Sequence, residues 1–160
     1  MNRRALTTMA LFFLAVTALP QCGFAQGNPL IGTWKINLTK SKYSPGPPPT
    51  SGTTIFEAVG QGLRITADGI DAQGKPTKIS FGVVDLDGKS NPVTGTPDYD
   101  ANATTRIDTN TFIISCTKAG KLVAIATIVV SPDGKTRTVT TTATAANGQP
   151  SNSIAFYEKQ

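Results

Sequence analysis

The sequence contains few side chains that could perform chemistry, and it contains no histidine at all. Histidine is the commonest general base, a member of the usual serine-type triads and a frequent zinc ligand, so these chemistries are missing. Cys116 shares one face of a strand-like segment with Phe112 and Ile114. A thiol in such an apolar segment is typical of a buried structural cysteine and not of a nucleophile. No glycine-rich phosphate loop or EF-hand pattern occurs either. We therefore expect no cofactor and no metal.

Carboxylates are the remaining route to catalysis, and most of them lie where they have a local backbone role. Aspartates in turns commonly hydrogen-bond to nearby backbone, and most aspartates here fall in predicted turns. We interpret the acidic residues at 98–100 as a solvated loop, with a weak metal site or an acid pair as the alternative. Glu57 and Glu158 lie in predicted strands and could act only if they turned inward. We therefore interpret the protein as non-enzymatic, and keep a small barrel enzyme that uses acids or arginine as a minor hypothesis.

Arginines lie within three of the predicted strands: Arg64, Arg106 and Arg137. An arginine that points into an apolar interior is costly unless it is paired, so it would indicate a bound anion or a structural ion pair. Alternation along the strand directs Arg64 outward. Arg137 shares a face with Val139 and is the best inward candidate. The outward, solvated orientation remains open for each of the three.

Short alternating segments separated by turn residues extend from residue 32 to the C-terminus. The turns contain the Asp, Asn, Gly and Pro residues that reversals of direction require. Such a meander with one buried face closes most simply into a barrel, which removes the exposed edges. The sequence therefore predicts an all-β chain, a single antiparallel up-and-down β-barrel of about 8–10 strands. A two-sheet sandwich is the alternative. The predicted strands are 32–38, 53–59, 63–68, 78–84, 104–107, 111–117, 122–130, 135–145 and 152–159.

Three segments depart from simple alternation. Residues 39–51 include four prolines between positions 45 and 49, which predicts an extended loop, either a lid or a simple crossing. Residues 122–130 are apolar on both faces, so we expect the short leader at residues 26–31, the proline loop or another subunit to cover the outer face. The next strand has threonine at every second position from 136 to 144. Threonine suits a water-exposed outer face, with a polar cavity lining as the alternative.

The N-terminal 25 residues have the pattern of a cleaved signal peptide. Arg3 and Arg4 precede an apolar stretch at 5–19, and small residues at 23 and 25 predict cleavage after Ala25. We therefore expect a domain at 26–160 in the periplasm or secreted, with no membrane association after cleavage. An uncleaved anchor and lipid attachment at Cys22 are the alternatives. Removal of the signal would leave Cys116 as the one cysteine, without an intramolecular disulfide.

The charge balance does not indicate a nucleic-acid partner. The full chain has a formal net charge of +5, and loss of Arg3 and Arg4 leaves 13 basic against 10 acidic residues, a net charge of +3. The lysines also lie singly in predicted turns and form no basic stripe. This is a weak electrostatic footprint, so we expect no nucleic acid among the partners.

The segments Gly32-Thr33-Trp34-Lys35 and Phe156-Tyr157-Glu158-Lys159 resemble those of a known superfamily. The first resembles the G-x-W opening of the calycins, which comprise lipocalins and fatty-acid-binding proteins. The second is similar to the last strand of the fatty-acid-binding branch. Residues 32–42 are also similar to the opening of small exported bacterial lipocalin-like proteins. The resemblance implies a cavity for a small apolar ligand, a tryptophan packed at the closed end, and first and last strands that meet where the barrel closes.

The same resemblance has departures that bear on ligand capture. A proline loop stands where fatty-acid-binding proteins have a helix pair. Ala155 stands where they have a carboxylate-binding arginine, and residues 127–129 lack their second cation. We therefore expect a monomeric barrel that binds a small hydrophobic ligand, or alternatively a structural or protein-interaction barrel with a filled core. The ligand-binding candidates, which a filled core would share, are Trp34, Ile36, Phe56, Ile79, Phe81, Phe112, Ile125, Arg137 and Phe156.

Overall fold

The computed structural model describes residues 27–144 and 148–160, which form strands and one turn of 3-10 helix. The predicted signal peptide, residues 1–25, lies outside these ranges. Within them, no helix is long and apolar enough to cross a membrane. The strands are Gly32–Ile36 (β1), Lys42–Ser44 (β2), Ser51–Val59 (β3), Gly62–Ile70 (β4), Pro76–Val84 (β5), Asp87–Pro92 (β6), Ala101–Arg106 (β7), Thr111–Lys118 (β8), Lys121–Val130 (β9), Thr136–Thr144 (β10) and Pro150–Lys159 (β11).

Ten of these strands form one antiparallel, nearly closed barrel. Hydrogen-bonded neighbours follow the order β5-β4-β3-β1-β11-β10-β9-β8-β7-β6. The two ends of this path, β5 and β6, meet through an isolated bridge in which Ser80 and Thr94 exchange backbone hydrogen bonds of 3.0 and 2.9 Å. The predicted all-β, up-and-down barrel is therefore confirmed, and the chain does not adopt the two-sheet alternative.

The first and last strands pair with each other, as the sequence predicts. Trp34 lies opposite Lys159, and Ile36 lies opposite Tyr157. On its other side β1 pairs with β3, where Trp34 lies opposite Thr54. The strand β1 is therefore inserted between β3 and β11, and this insertion joins β3 and β11 into one sheet.

The proline-containing segment is only partly a loop. After β1, the side chain of Asn37 caps the 3-10 turn Leu38–Lys40, and its Oδ1 accepts a hydrogen bond of 3.2 Å from the Lys40 backbone N–H. The chain then returns to β11 as β2, with Tyr43 opposite Ser153. The prediction of a loop throughout 39–51 is wrong here because β11 extends beyond β1 and offers its backbone to residues 42–44. The loop is confined to the proline-rich stretch that follows.

One end of the barrel is filled by large apolar side chains. Trp34 is fully buried, and its indole Nε1 donates a hydrogen bond of 2.7 Å to the carbonyl oxygen of Leu30, also fully buried. The segment that precedes β1 therefore covers this end of the barrel. Trp34 lies at the closed end, as the resemblance implies. The core cluster comprises Leu30, Trp34, Phe56, Leu63, Ile65, Val84, Phe112, Ile128 and Val130.

The outer faces of β9 and β10 differ in the way that the sequence predicts. The alternate threonines of β10 lie on the face opposite to the buried Arg137, and Thr140, Thr142 and Thr144 are exposed. On β9, Ile125 and Val129 are 42% and 46% exposed. Among the described residues, neither the leader nor the proline loop covers them, so the expected cover is not provided by these parts of the chain.

Candidate functional site in the barrel interior

The strand register identifies the residues that face the barrel interior. Trp34 is buried in the closed end, and directly opposed residues on neighbouring antiparallel strands share its face. Arg137 on β10 lies opposite Tyr157 on β11 and opposite Val130 on β9. From these positions, the interior face continues at every second residue of each strand.

Side chains on three adjacent strands become smaller from the closed end to the opposite end. The interior positions in that direction are Val130, Ile128, Ala126 and Ala124 on β9; Arg137, Val139, Thr141 and Ala143 on β10; and Tyr157, Ala155, Ser153 and Ser151 on β11. The small residues at the far end are partly exposed although they face inward. Solvent therefore reaches the inner wall of this half, which we call the open half.

The opposite wall of the open half is also built from small residues. Gly52 on β3 lies opposite Gly69 on β4, and Thr54 lies opposite Ala67. Ile36 packs over Gly52, where an added Cβ would lie 3.4 Å from its Cγ2. Protein interiors normally pack as densely as organic crystals. Small residues therefore line both walls of the open half.

Arg137 lies at the boundary between the packed end and the open half. Only 3% of the residue is exposed. Its Cζ lies 5.1, 4.8 and 4.4 Å from the ring centroids of Trp34, Phe56 and Tyr157. We call these three rings the aromatic cage. Burial lowers the pKa of Arg137 to about 10, so the guanidinium remains charged at neutral pH.

Arg137 lacks an anionic partner among the described residues. Its Nε and Nη1 are buried and have no hydrogen-bond partner. The ion pairs found in the described ranges are all at the surface: Lys40–Glu158 at 3.1 Å, Arg64–Glu57 at 3.8 Å and Lys89–Asp87. An unpaired buried charge is rare because the loss of hydration is not repaid. The barrel thus holds a positive charge that its own carboxylates do not neutralise.

A second polar group lies on the wall formed by β7 and β8. Asn102 is 1% exposed, and its Nδ2 donates a hydrogen bond of 3.2 Å to Thr104 Oγ1, whereas its Oδ1 is buried without a partner. Asn102 lies opposite Cys116. Burial raises the pKa of the Cys116 thiol to about 11, so the thiol stays protonated at neutral pH. This agrees with the interpretation of Cys116 as structural.

The structure brings together some of the predicted ligand-binding residues and separates others. Trp34, Phe56 and Arg137 meet at the aromatic cage, and Phe112 is buried in the adjoining core cluster. Ile36 faces inward beside Gly52. The remaining inward candidates, Ile79 and Phe81, lie on β5, where Ile79 is opposite Ala67 and Phe81 stacks on Tyr99 at 6.0 Å between centroids.

Ile125 and Phe156 require correction, because both lie on the outer face. Ile125 alternates with the inward alanines of β9, so the larger side chain points out and the smaller ones point in. Phe156 lies beneath Lys40, whose Nζ is 4.8 Å from the ring centroid; its neighbour Tyr157 is the inward aromatic residue. Tyr157 was not among the predicted ligand-binding residues. The pairing of Trp34 with the last strand would have placed it on the interior face.

Tyr43 and Asn102 are interior polar residues that the sequence analysis also missed. Tyr43 belongs to the short β2 strand, and burial, with a smaller contribution from Tyr157, raises its pKa to about 12. No sequence signal marks either residue, because β2 spans three residues and Asn102 stands in an unremarkable run of alanine and threonine. Both add hydrogen-bonding groups to those that Arg137, Thr141 and Ser153 already place on the interior face.

Two shallow pockets flank the outer rim of the open half. One, of about 260 Å³, lies where β2, β10 and β11 meet and is lined by residues that include Tyr43, Thr141 and Ile154. The other, of about 150 Å³, lies between the ends of β9 and β10 beside Leu122 and Ile125. The residues that line these two pockets do not include Arg137 or its aromatic cage, so the pockets are distinct from the floor of the lumen.

Solved structures with a similar fold include the following two. Zebrafish ileal bile acid-binding protein, in complex with cholic acid, superposes with a TM-score of 0.50 and 15% identity, covering 82% of this chain and 99% of that chain. Rv2717c from M. tuberculosis superposes with a TM-score of 0.53 and 14% identity, covering 82% and 93%. No protein-family model and no curated protein sequence matches the chain. These similarities show the fold alone, a calycin-like barrel, which is the fold that the resemblance of the two ends of the sequence implies.

Proposed function

We propose that the protein is exported and that it binds a small, largely apolar molecule in the open half of its barrel. The observation that carries this proposal is the taper of three adjacent strands from Val130, Arg137 and Tyr157 to alanine, serine and threonine. A filled barrel would need large side chains at the tapered end. A ligand in this lumen would gain roughly 25 cal/mol for each Å² of apolar surface removed from water.

The similarity of the fold to zebrafish ileal bile acid-binding protein supports the binding of a small molecule. The structure of that protein holds cholic acid. Barrels of this size are wide enough to hold one small ligand. Because a shared fold does not determine function, the proposal depends on the small side chains that line the open half of this chain's barrel.

Binding without catalysis fits the side chains that the described residues place in and around the lumen. Glu57 and Glu158, which would need to turn inward to act, lie at the surface in ion pairs with Arg64 and Lys40. The protonated thiol of Cys116 is a poor nucleophile. We therefore propose a binding protein and not an enzyme.

The proposal is tested by blocking the lumen from within. Ala126 faces inward in the middle of β9, between Ile114 and Thr141. The purified protein should bind the neutral fluorescent probe N-phenyl-1-naphthylamine, and Ala126→Phe should abolish binding because the ring fills the lumen. Thr127→Phe, one residue away on the outer face, is the matched control and should bind as the wild type does. Absence of probe binding by the wild-type protein would overturn the proposal.

A second candidate function, interaction with a second copy of this chain, is favoured by the outer surface of β9. Ile125 and Val129 on this surface are 42% and 46% exposed, and exposed apolar residues grouped on one surface commonly mark interaction sites. Sedimentation velocity over a wide concentration range distinguishes this candidate. A protein that remains monomeric, and whose Ile125→Ser variant sediments identically, would not self-associate through this surface.

A further inference from the structure

The interior of the barrel contains a permanent positive charge with unused hydrogen-bond donors. Arg137 is 3% exposed, and its Nε and Nη1 have no partner. The aromatic cage attracts a cation through the faces of its rings. The faces of the rings do not accept hydrogen bonds from the N–H groups of the guanidinium as oxygen atoms would. These donors therefore remain unsatisfied, and an unsatisfied buried donor on a charged group costs free energy.

The position of Arg137 places this charge at the floor of the open half. Along β10, the next interior residues toward the open end are Val139, Thr141 and Ala143, and all three are partly exposed. On the other side of Arg137 lie Trp34 and Phe56, which belong to the packed core. A molecule that enters the lumen from the open end therefore reaches Arg137 last.

We propose that Arg137 binds the anionic head group of an amphipathic ligand whose apolar body occupies the open half. This inference rests on the proposed ligand-binding function and adds the chemical class of the ligand and its orientation. Oxygen atoms of a carboxylate, sulfonate or phosphate accept hydrogen bonds from a guanidinium and neutralise its charge. The head group lies next to Trp34, and the tail extends past Thr141 and Ala143 toward the open end.

Competition between matched lipids tests the chemical class. Dodecanoate and dodecan-1-ol have the same chain length and differ in charge, and each can displace N-phenyl-1-naphthylamine. Hydrogen bonds to a charged group favour the anion, so we expect dodecanoate to bind about 10- to 100-fold more tightly than dodecan-1-ol. Arg137→Met should remove this preference and retain binding of dodecan-1-ol. Arg64→Met, which removes an exposed arginine of the outer face, is the matched control and should keep the preference.

The outcomes of this experiment separate the inference from the proposed function. If the two lipids bind equally to the wild-type protein, Arg137 does not recognise a head group, while the lumen remains a binding site. If neither lipid nor the probe binds, the ligand-binding function fails and the inference fails with it. Retention of the preference by a folded Arg137→Met variant would also overturn the inference.

A measurement on the wild-type protein tests the orientation without any substitution. Trp34 is the only tryptophan in the sequence, and bromine quenches tryptophan fluorescence on close approach. With the head group at Arg137, 2-bromododecanoate should quench Trp34 strongly, whereas 12-bromododecanoate should leave it nearly unchanged. Stronger quenching by 12-bromododecanoate would mean that the tail occupies the floor, and the proposal would be wrong.

Discussion

Replacement of Arg137 by methionine should leave the ligand-free protein as stable as the wild type or more stable. Burial lowers the pKa of Arg137 from its usual value to about 10. Because one pKa unit corresponds to about 1.4 kcal/mol, the buried charge costs on the order of 3 kcal/mol relative to the neutral form. Contacts with the aromatic cage return about 2 kcal/mol. Methionine is flexible and apolar and can occupy the space that the arginine stem leaves.

Urea unfolding followed by Trp34 fluorescence measures this effect. We expect the free energy of unfolding of Arg137→Met to be unchanged or higher by about 1 kcal/mol, since apolar replacements of buried charges are often neutral or stabilising. Val130→Ala, at the neighbouring interior position, is the contrasting control and should lose about 2 kcal/mol through the cavity that it creates. If the free energy of unfolding of Arg137→Met fell by more than 2 kcal/mol, the guanidinium would instead be a group that stabilises the closed end of the barrel.

The difference in the free energy of unfolding between Arg137→Met and the wild type should change with pH in a definite direction. The pKa of Arg137 is lower in the folded protein than in the unfolded chain, so in a window that begins near pH 10 the unfolded state binds more protons at this group. The contribution of Arg137 to stability therefore rises with pH in that window. Any stability advantage of Arg137→Met at pH 7 should shrink at pH 10.5. An advantage that grows with pH would contradict the assignment of burial as the cause of the shift.

Three further predictions concern the closed end, the thiol and the N-terminus. Trp34→Phe leaves the Leu30 carbonyl without its 2.7 Å hydrogen bond, so unfolding in urea should show a loss of about 2 kcal/mol; an unchanged midpoint would contradict the role of the indole. Cys116 is 7% exposed and should react with an aromatic disulfide reagent at pH 8 much more slowly in the native protein than in urea, and equal rates would refute its burial. Intact mass of the protein recovered from its producing cells should correspond to a chain that begins at Gln26; a chain that retains residues 1–25 would refute cleavage after Ala25.

The sequence was sufficient to predict the barrel and the way in which its first and last strands meet. Turn residues at regular intervals limit the chain to short antiparallel strands, and the alternation around Trp34 marks one buried face. The pairing of Trp34 with Lys159 agrees with this prediction. The threonines of β10 also lie on the outer face, because alternation with one polar face leaves a single consistent orientation.

The interior site was less predictable because its orientation depends on contacts between distant strands. On β9 both faces are apolar, so alternation alone does not decide whether Ile125 or Ala126 faces inward. The orientation of Arg137 depends on Trp34, Phe56 and Tyr157, which come from three different strands. From the sequence of one strand alone, an arginine is expected to remain in water. The aromatic cage, which forms only when the three strands assemble, offsets part of the free energy that its burial costs.

Native mass spectrometry of the purified protein equilibrated with dodecanoate tests most directly whether the open half of the barrel is a ligand site. We expect one dodecanoate per chain for the wild-type protein and for Thr127→Phe, and none for Ala126→Phe. An absence of complex with the wild-type protein, or equal binding by the two phenylalanine variants, would contradict it.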